Sequence, residues 1–342
     1  MRSSLYGGRG GDTVMTKEEA LDAFLKKNGI DYDRATNKQD ICYDARIAEL
    51  PEQLDLWLSG IASSDHDVFL ELFSGYTYLT IEQCRQRYER ILDLLKEQLK
   101  QIGSCLDETL FVTIENSAFA SGADNVRSDL RGCDRNRVEK DQLVAAQNRL
   151  REEEIQPYKA IVFIDDIAGS GCTLWSEMKA FSERFPEIIS NQNTRLYLAC
   201  IIPSKKGVDH LQKNCQNFPR QIGLLYDPQW LQYPAFEKSS TSYQRLRPYE
   251  EEIDNYMRTP KDKRYFMGFG QNRLLVSFYY NTPNNTLCTF WRAIPDKLPL
   301  FIRYGNQKLN RLQIAEMRER KKQMCNQAYG FGIDRWRKAY GD

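Results

Sequence analysis

Lys159-Ala160-Ile161-Val162-Phe163-Ile164-Asp165-Asp166-Ile167-Ala168-Gly169-Ser170-Gly171-Cys172-Thr173-Leu174 is the stretch on which the reading of the chain turns. The apolar run Ile161 to Ile164 has the length and branched side chains of a strand buried on both faces. It ends in two adjacent carboxylates, followed by a small turn containing Gly169, Ser170 and Gly171, and then by a helical pattern from Thr173 to Phe185. Strand, turn and helix in that order put acid groups and free backbone N–H groups at the carboxyl edge of a sheet. Such a site suits a sugar phosphate. The carboxylates can accept from ribose hydroxyls or meet a metal, and the helix start can receive the phosphate.

The flanking sequence repeats this alternation. Leu110-Phe111-Val112-Thr113-Ile114 reads as an earlier strand, followed by a polar stretch to about Arg137 and a helix from about Lys140 to Glu154. After the central strand come a strand over Arg195–Ile202, a helix over Gly207–Cys215 and a strand over Ile222–Tyr226. Strands alternating with helices predict a doubly wound, mostly parallel α/β sheet covered on both faces. The first third reads as helical. Thr16 and Glu19 form a capping box, and Thr80 opens an amphipathic helix from Ile81 to about Ile102 with Tyr88, Ile91, Leu92, Leu94, Leu95 and Leu99 on its apolar side. Further on, a helix is predicted through Tyr249–Met257 and a strand over Leu274–Tyr280, with a turn at Asn281-Thr282-Pro283-Asn284-Asn285. The expected organisation is a Gly-rich arm at 1–15, a helical N-terminal cap at 16–103, the α/β domain at 104–305 and a basic helical extension at 306–342.

Composition narrows the function classes. Lysine and arginine total 48 against 47 aspartate and glutamate, so bulk charge favours neither nucleic acid nor a membrane. The nine cysteines contain no C-x-x-C pair, and the only histidines are His66 and His210. Disulfide frameworks, zinc knuckles and His-rich metal centres are therefore not expected. No apolar run is long enough to cross a bilayer, and the N-terminus lacks a secretory h-region. A soluble cytoplasmic protein is the expectation.

Residues 161 to 173 resemble the ribose-phosphate motif of type I phosphoribosyltransferases: an apolar strand, two acids, an apolar residue, two variable positions, then Ser or Thr, Gly, any residue and Ser or Thr. The resemblance implies that Asp165 and Asp166 are the catalytic pair and bind the ribose hydroxyls. It implies that Ala168, Gly169, Ser170, Gly171, Cys172 and Thr173 hold the 5′-phosphate, and that Mg²⁺ is shared indirectly between the acids and a pyrophosphate. Two positions depart from the pattern. Gly169 stands where purine-salvage members often carry an acid. The loop Glu115 to Gly122, which would face pyrophosphate, lacks the usual basic residue before Gly122. Ser121 and Gly122, with Arg127 and Arg131 just beyond, are the candidates for that role, and the Arg127–Arg137 cluster reads as a loop over the pocket.

Together with Leu274–Tyr280, the Asn281–Asn285 turn, Phe290-Trp291 and Pro299-Leu300-Phe301-x-Arg303, the chain resembles the phosphoribosyltransferase-like family associated with bacterial conflict systems over roughly residues 50 to 305. That resemblance implies an antiphage effector, or a nucleotide-sensing subunit of a defence complex, with a reverse transcriptase as one possible partner. The same letters, Asp165-x-x-x-Gly169-Ser170-Gly171, also resemble motif I of adenosylmethionine-dependent methyltransferases. However, the next strand ends Ile201-Ile202-Pro203-Ser204 without the acid that family needs. The basic tail, with Arg318, Arg320, Lys321, Lys322, Arg335, Arg337 and Lys338 and the aromatics Trp336 and Tyr340, is a candidate nucleic-acid or partner surface.

Overall fold

The computed structural model describes residues 15–114, 122–136, 138–144, 150–191, 193–257, 265–303 and 308–329, the last six of these by backbone alone. Five helices lead: α1 (Lys17–Lys27), α2 (Tyr32–Thr36), α3 (Ala45–Ala48), α4 (Leu50–Leu58) and α5 (His66–Ser74). Strand β1 (Thr77–Leu79) and helix α6 (Ile81–Lys100) follow. The α/β region runs β2 (Thr109–Thr113), α7 (Ala123–Arg131), β3 (Leu143–Val144), α8 (Glu152–Ile155), β4 (Ala160–Ala168), α9 (Cys172–Arg184), α10 (Pro186–Ser190), β5 (Arg195–Pro203), α11 (Lys205–Gln216) and β6 (Ile222–Leu225). Helix α12 (Thr241–Met257), strand β7 (Val276–Phe278) and helix α13 (Arg311–Tyr329) complete the order.

Strands β2 to β6 form a five-stranded sheet in the order β3-β2-β4-β5-β6, and every adjacent pair is parallel. The chain leaves β2 for one edge, returns to the other side of β2 as β4, and then winds outward. The order therefore reverses between β2 and β4, and the crevice at their carboxyl ends is where doubly wound sheets bind ligands. Both faces are covered, as the near-continuous apolar strands require. On one face Val162 and Ile164 pack with Ile91, Leu95 and Leu99 of α6 and with Val126 and Leu130 of α7. On the other, Ile161 and Phe163 pack with Met178 and Phe181 of α9. The capping box at Thr16–Glu19 forms as predicted, and Thr80 caps α6 as predicted, with Gln83 closing a second box.

A second core joins segments that are remote in sequence. Phe24, Phe69, Phe73, Tyr76 and Tyr78 pack with Phe290 and Phe301; the Phe24–Phe73 rings stack at 4.7 Å and Tyr76–Phe290 at 4.9 Å. Strand β1 pairs in parallel with β7 beside it, Thr77 opposite Val276. Glu250 of α12, fully buried, accepts the backbone N–H groups of Met267, Cys288 and Thr289 at 3.0, 3.1 and 2.8 Å. That one carboxylate fixes both ends of the segment 267–289, which reaches across to the carboxyl edge of the main sheet.

Four local expectations are corrected. The Lys140–Glu154 segment is not one helix: Leu143–Val144 pairs with β2 as an edge strand, beside Phe111 and Val112, a tertiary context that overrides local helix propensity. The acids do not end the central strand, since β4 continues to Ala168 through pairing of Asp165, Ile167 and Ala168 with β5. Strand β1 falls within the first third, which the sequence reads as helical. Finally, Arg127 and Arg131 stand on helix α7 and not on a loop over the pocket.

Candidate functional site

The acid pair lies within β4 at the reversal point of the sheet. Before it, Val162 and Ile164 face the α6 side and Ile161 and Phe163 the α9 side; after it, Ile167 packs on the α6 side and Ala168 on the α9 side. The pleat thus changes phase across Asp165–Asp166, and the Asp166 N–H donates to the Asp165 carboxylate at 2.9 Å. Asp166 is 8 % exposed and Asp165 is partly exposed. The Tyr280 hydroxyl, just beyond β7, donates to Asp166 Oδ2 at 2.7 Å. Gly122, at the start of α7, backs onto the same oxygen: a Cβ there would lie 2.8 Å from Asp166 Oδ2. The positive end of α7 is thereby directed at a carboxylate, a favourable arrangement.

Burial pushes the Asp165 carboxyl well above its ordinary range, and the charge on Asp166 adds to the effect. Burial also raises Asp166, opposed by the Tyr280 hydroxyl and by the charge of Arg303. Beneath the pair lies a second buried carboxylate. Asp129 of α7 accepts from the Tyr279 hydroxyl at 3.2 Å and stands 3.7 Å from Arg85 Nε, and burial lifts it to about 7. Tyr88 Oη, Asp129 Oδ2 and Arg85 Nε are buried without a hydrogen-bond partner among the described residues. Two consecutive tyrosines therefore tie the end of β7 to two carboxylates whose pKa values are both raised.

The turn is held in a different way. Gly171 has φ +72°, and a Cβ there would lie 2.7 Å from the Gly207 carbonyl. A Cβ on Gly207, in the first turn of α11, would lie 2.0 Å from the Ala168 carbonyl. Ser204 clamps the same place: its N–H donates to Ala168 O at 3.1 Å and its hydroxyl donates to Gly169 O. The Asn285 side chain covers Gly169, its Nδ2 donating to Phe269 O at 3.1 Å. Ser170 Oγ accepts the Cys172 N–H at 3.3 Å, and Cys172 and Thr173 are exposed at the start of α9. A 13-residue helix thus opens toward the site without a side-chain cap from Gly171.

Of the other expected residues, Arg127 and Arg131 line a cleft of about 570 Å³ with Asp124, Ser128 and Lys140, beside edge strand β3. Arg127 Nη1 donates to Thr113 Oγ1 at 2.9 Å, and Thr113 pairs with Ile164 one residue before the acids. The cleft therefore adjoins the acid pair through the end of β2 and does not meet the turn. Ser121 lies outside the described residues, as do the Gly-rich arm at 1–14 and Arg335, Trp336, Arg337, Lys338 and Tyr340 of the tail. Helix α13 docks on α4, with Arg318 bonded to Glu49 and Glu52 and Lys322 to Glu52. The sequence singled out Arg303 and the Asn281–Asn285 turn, a loop after a late strand that can border the pocket in this fold, but it gave no sign that Tyr280, Ser204 or Gly207 would close on β4.

The PRTase-CE family model matches residues 54–303. The chain belongs to the PRTase-CE family. The match takes in the acid pair, the turn and the 267–289 segment, and the parallel sheet is consistent with a phosphoribosyltransferase-like fold. No significant match is found among curated proteins or among solved structures. As a PRTase-CE protein the chain carries the acid pair and small turn at the switch point of its sheet. Among the described residues, no helix is long and apolar enough to cross a membrane.

Proposed function

We propose that this protein binds a ligand containing ribose 5-phosphate at the carboxyl edge of β4. Asp165 and Asp166 accept hydrogen bonds from the ribose hydroxyls, while Ser170, Thr173 and the N–H groups from Gly169 to Thr173 take the phosphate. The observation that carries this reading is the sequence of acid pair, glycine-tight turn and open helix start at the reversal point of a parallel sheet. Cytoplasmic antiphage defence, as an effector in a retron-type system with a reverse-transcriptase partner, is the biological setting we propose, on the strength of the resemblance at residues 161–173 and 274–303. Nucleic acid approaching α13 would compete with Glu49 and Glu52 for Arg318 and Lys322.

Mg²⁺ fits the donor set as an ion shared with the ligand: Asp165 and Asp166 would meet it, and the described residues hold no cluster of three or more ligating side chains. When bound, it would supply charge neutralisation for a leaving pyrophosphate. A second reading, a nucleotide sensor that does not turn over, is favoured by the Tyr280–Asp166 hydrogen bond and by Gly169, which has no proton to transfer. Titration calorimetry with ribose 5-phosphate and phosphoribosyl pyrophosphate, paired with a pyrophosphate-release assay, separates the readings. Asp166→Asn is expected to weaken binding of both ligands by roughly 10- to 100-fold, as loss of a charged acceptor does. Unchanged affinity in that variant would refute the ribose site. Binding without release in the wild type selects the sensor.

A further inference from the structure

The segment between α12 and β7 contains a group of donors that the ribose-phosphate motif does not account for. Gly270 (φ +68°) sits at their centre. A Cβ placed there would find nothing closer than Lys206 Nζ at 3.7 Å, with Asn272 Nδ2 and Ser170 Cβ each at 4.0 Å. One ammonium, one amide N–H₂ and the serine of the β4–α9 turn therefore surround a single point that no side chain fills. Asn272 is 2 % exposed, and its Nδ2 has no hydrogen-bond partner among the described residues. The next residue, Arg273, is 8 % exposed, with Nε and Nη1 also without partners. Buried donors and buried positive charge are costly unless an acceptor meets them.

The local backbone is held in a costly form as well. Met267, Gln271 and Arg273 have φ of 57°, 56° and 50°, and Gly268 and Gly270 flank them at 76° and 68°. Left-handed conformations in non-glycine residues persist where the surroundings impose them. Here Glu250 grips Met267, Asn284 O accepts the Phe269 N–H at 2.7 Å, and the Lys206 ammonium donates to Gly270 O. What this bracing produces is a strained turn that brings Asn272 and Ser170 to the same point beside Gly270.

We infer that Lys206 and Asn272 complete a phosphate site with Ser170 and the first N–H groups of α9, so that a phosphate monoester is gripped from both sides of the cleft. This rests on the reading of β4–α9 as the phosphate turn and adds two positions outside that motif. Lys206 supplies charge from the first turn of α11, and Asn272 supplies an unmet donor, buried in the free protein, that the ligand reaches as the Gly270 turn shifts.

The test is calorimetric titration of the full chain with inorganic phosphate and with ribose 5-phosphate, in wild type, Lys206→Ala and Asn272→Ala, alongside thermal melts. Each variant is expected to weaken both ligands about tenfold, as loss of one hydrogen bond to a charged group does. Lys206 is exposed, so its removal leaves the fold intact. Asn272→Ala is expected to leave the melting temperature of the free protein unchanged or raised, because it deletes an unmet buried donor; a purely structural asparagine would lower it. Wild-type affinities in both variants would overturn the inference even where Asp166→Asn still loses ribose 5-phosphate. Phosphate binding that depends on Lys206, with no binding of ribose 5-phosphate, would support this site and refute the ribose reading. No binding of either ligand to the wild type would overturn both.

Discussion

The two halves of the β4 edge are built on opposite physical plans. At the turn, Gly171 and Gly207 let backbone approach backbone so closely that added methyl groups would fall 2.7 and 2.0 Å from carbonyl oxygens already present, and Gly169 leaves room for the Asn285 side chain. Close fit, pinned by the Ser204 and Asn285 hydrogen bonds, fixes that half. At the acid pair, a few residues upstream, Asp165, Asp166 and Asp129 share a buried region with Tyr88, Tyr279, Tyr280 and Arg85, where some polar atoms lack partners among the described residues and protonation is displaced from its ordinary range. Charge and hydrogen bonding fix this half. A rigid cradle suits an invariant group such as a phosphate. A polar region with unmet capacity suits a part of the ligand that must be recognised, and whose arrival exchanges one set of hydrogen bonds for another.

The strongest challenge to this contrast is Gly207→Ala. Its methyl would strike the Ala168 carbonyl, which is backbone and cannot swing aside. A loss of about 3 kcal/mol in urea unfolding is expected, together with loss of phosphate binding, since overpacking a tight contact costs on that scale. Stability near that of wild type would mean that the turn is not held by shape.

The acid side should instead respond to pH. Asp129 has a folded pKa of about 7, above its ordinary 3.8, so its neutral form is the one the fold favours. The resulting stabilisation is complete below pH 3.8 and is lost as pH rises to about 7. Asp129→Asn removes the titration. The variant should match or fall below wild type at pH 5 and gain roughly 2 kcal/mol relative to it by pH 8, read from melts across that range. A difference that does not vary with pH would remove Asp129 from the account.

The smallest effect is expected from Tyr280→Phe. Deleting the donor to Asp166 removes a hydrogen bond worth about 0.5–1.5 kcal/mol. Because that hydroxyl lowers Asp166, its loss lets the carboxyl rise further. Ribose 5-phosphate binding, which needs the ionised acceptor, should then reach half its plateau at a higher pH than in wild type. An unmoved midpoint would show that Tyr280 and the ligand do not share Asp166.

What the sequence made legible follows from the range of the interactions. Strands β2, β4, β5 and β6, the capping boxes and the apolar face of α6 are encoded by neighbours within a few residues, and they stand where periodicity put them, with small shifts of their ends. The acid pair and the turn were legible for the same reason: their chemistry is contiguous. The Lys140–Glu154 helix does not form because Leu143–Val144 becomes a strand only through β2, 32 residues earlier in the chain by its Phe111 and Val112 pairing. Tyr280, Asn285 and Asn272 reach β4 and its turn only because Glu250 and the β1–β7 pair bring a distant segment over the edge. No local pattern encodes that closure.

The pairing of Thr77 with Val276 also bears on how the molecule is made. A ribosome releases β1 long before its partner strand exists, so the shared aromatic core must wait while the five-stranded sheet already has all its strands. The nascent chain should pass through a stage in which the sheet edge has formed but Tyr280, Asn285 and Asn272 have not yet arrived. Maturation of the cleft is thus tied to completion of synthesis, and a chain truncated before Val276 would leave the carboxylates of β4 open to water.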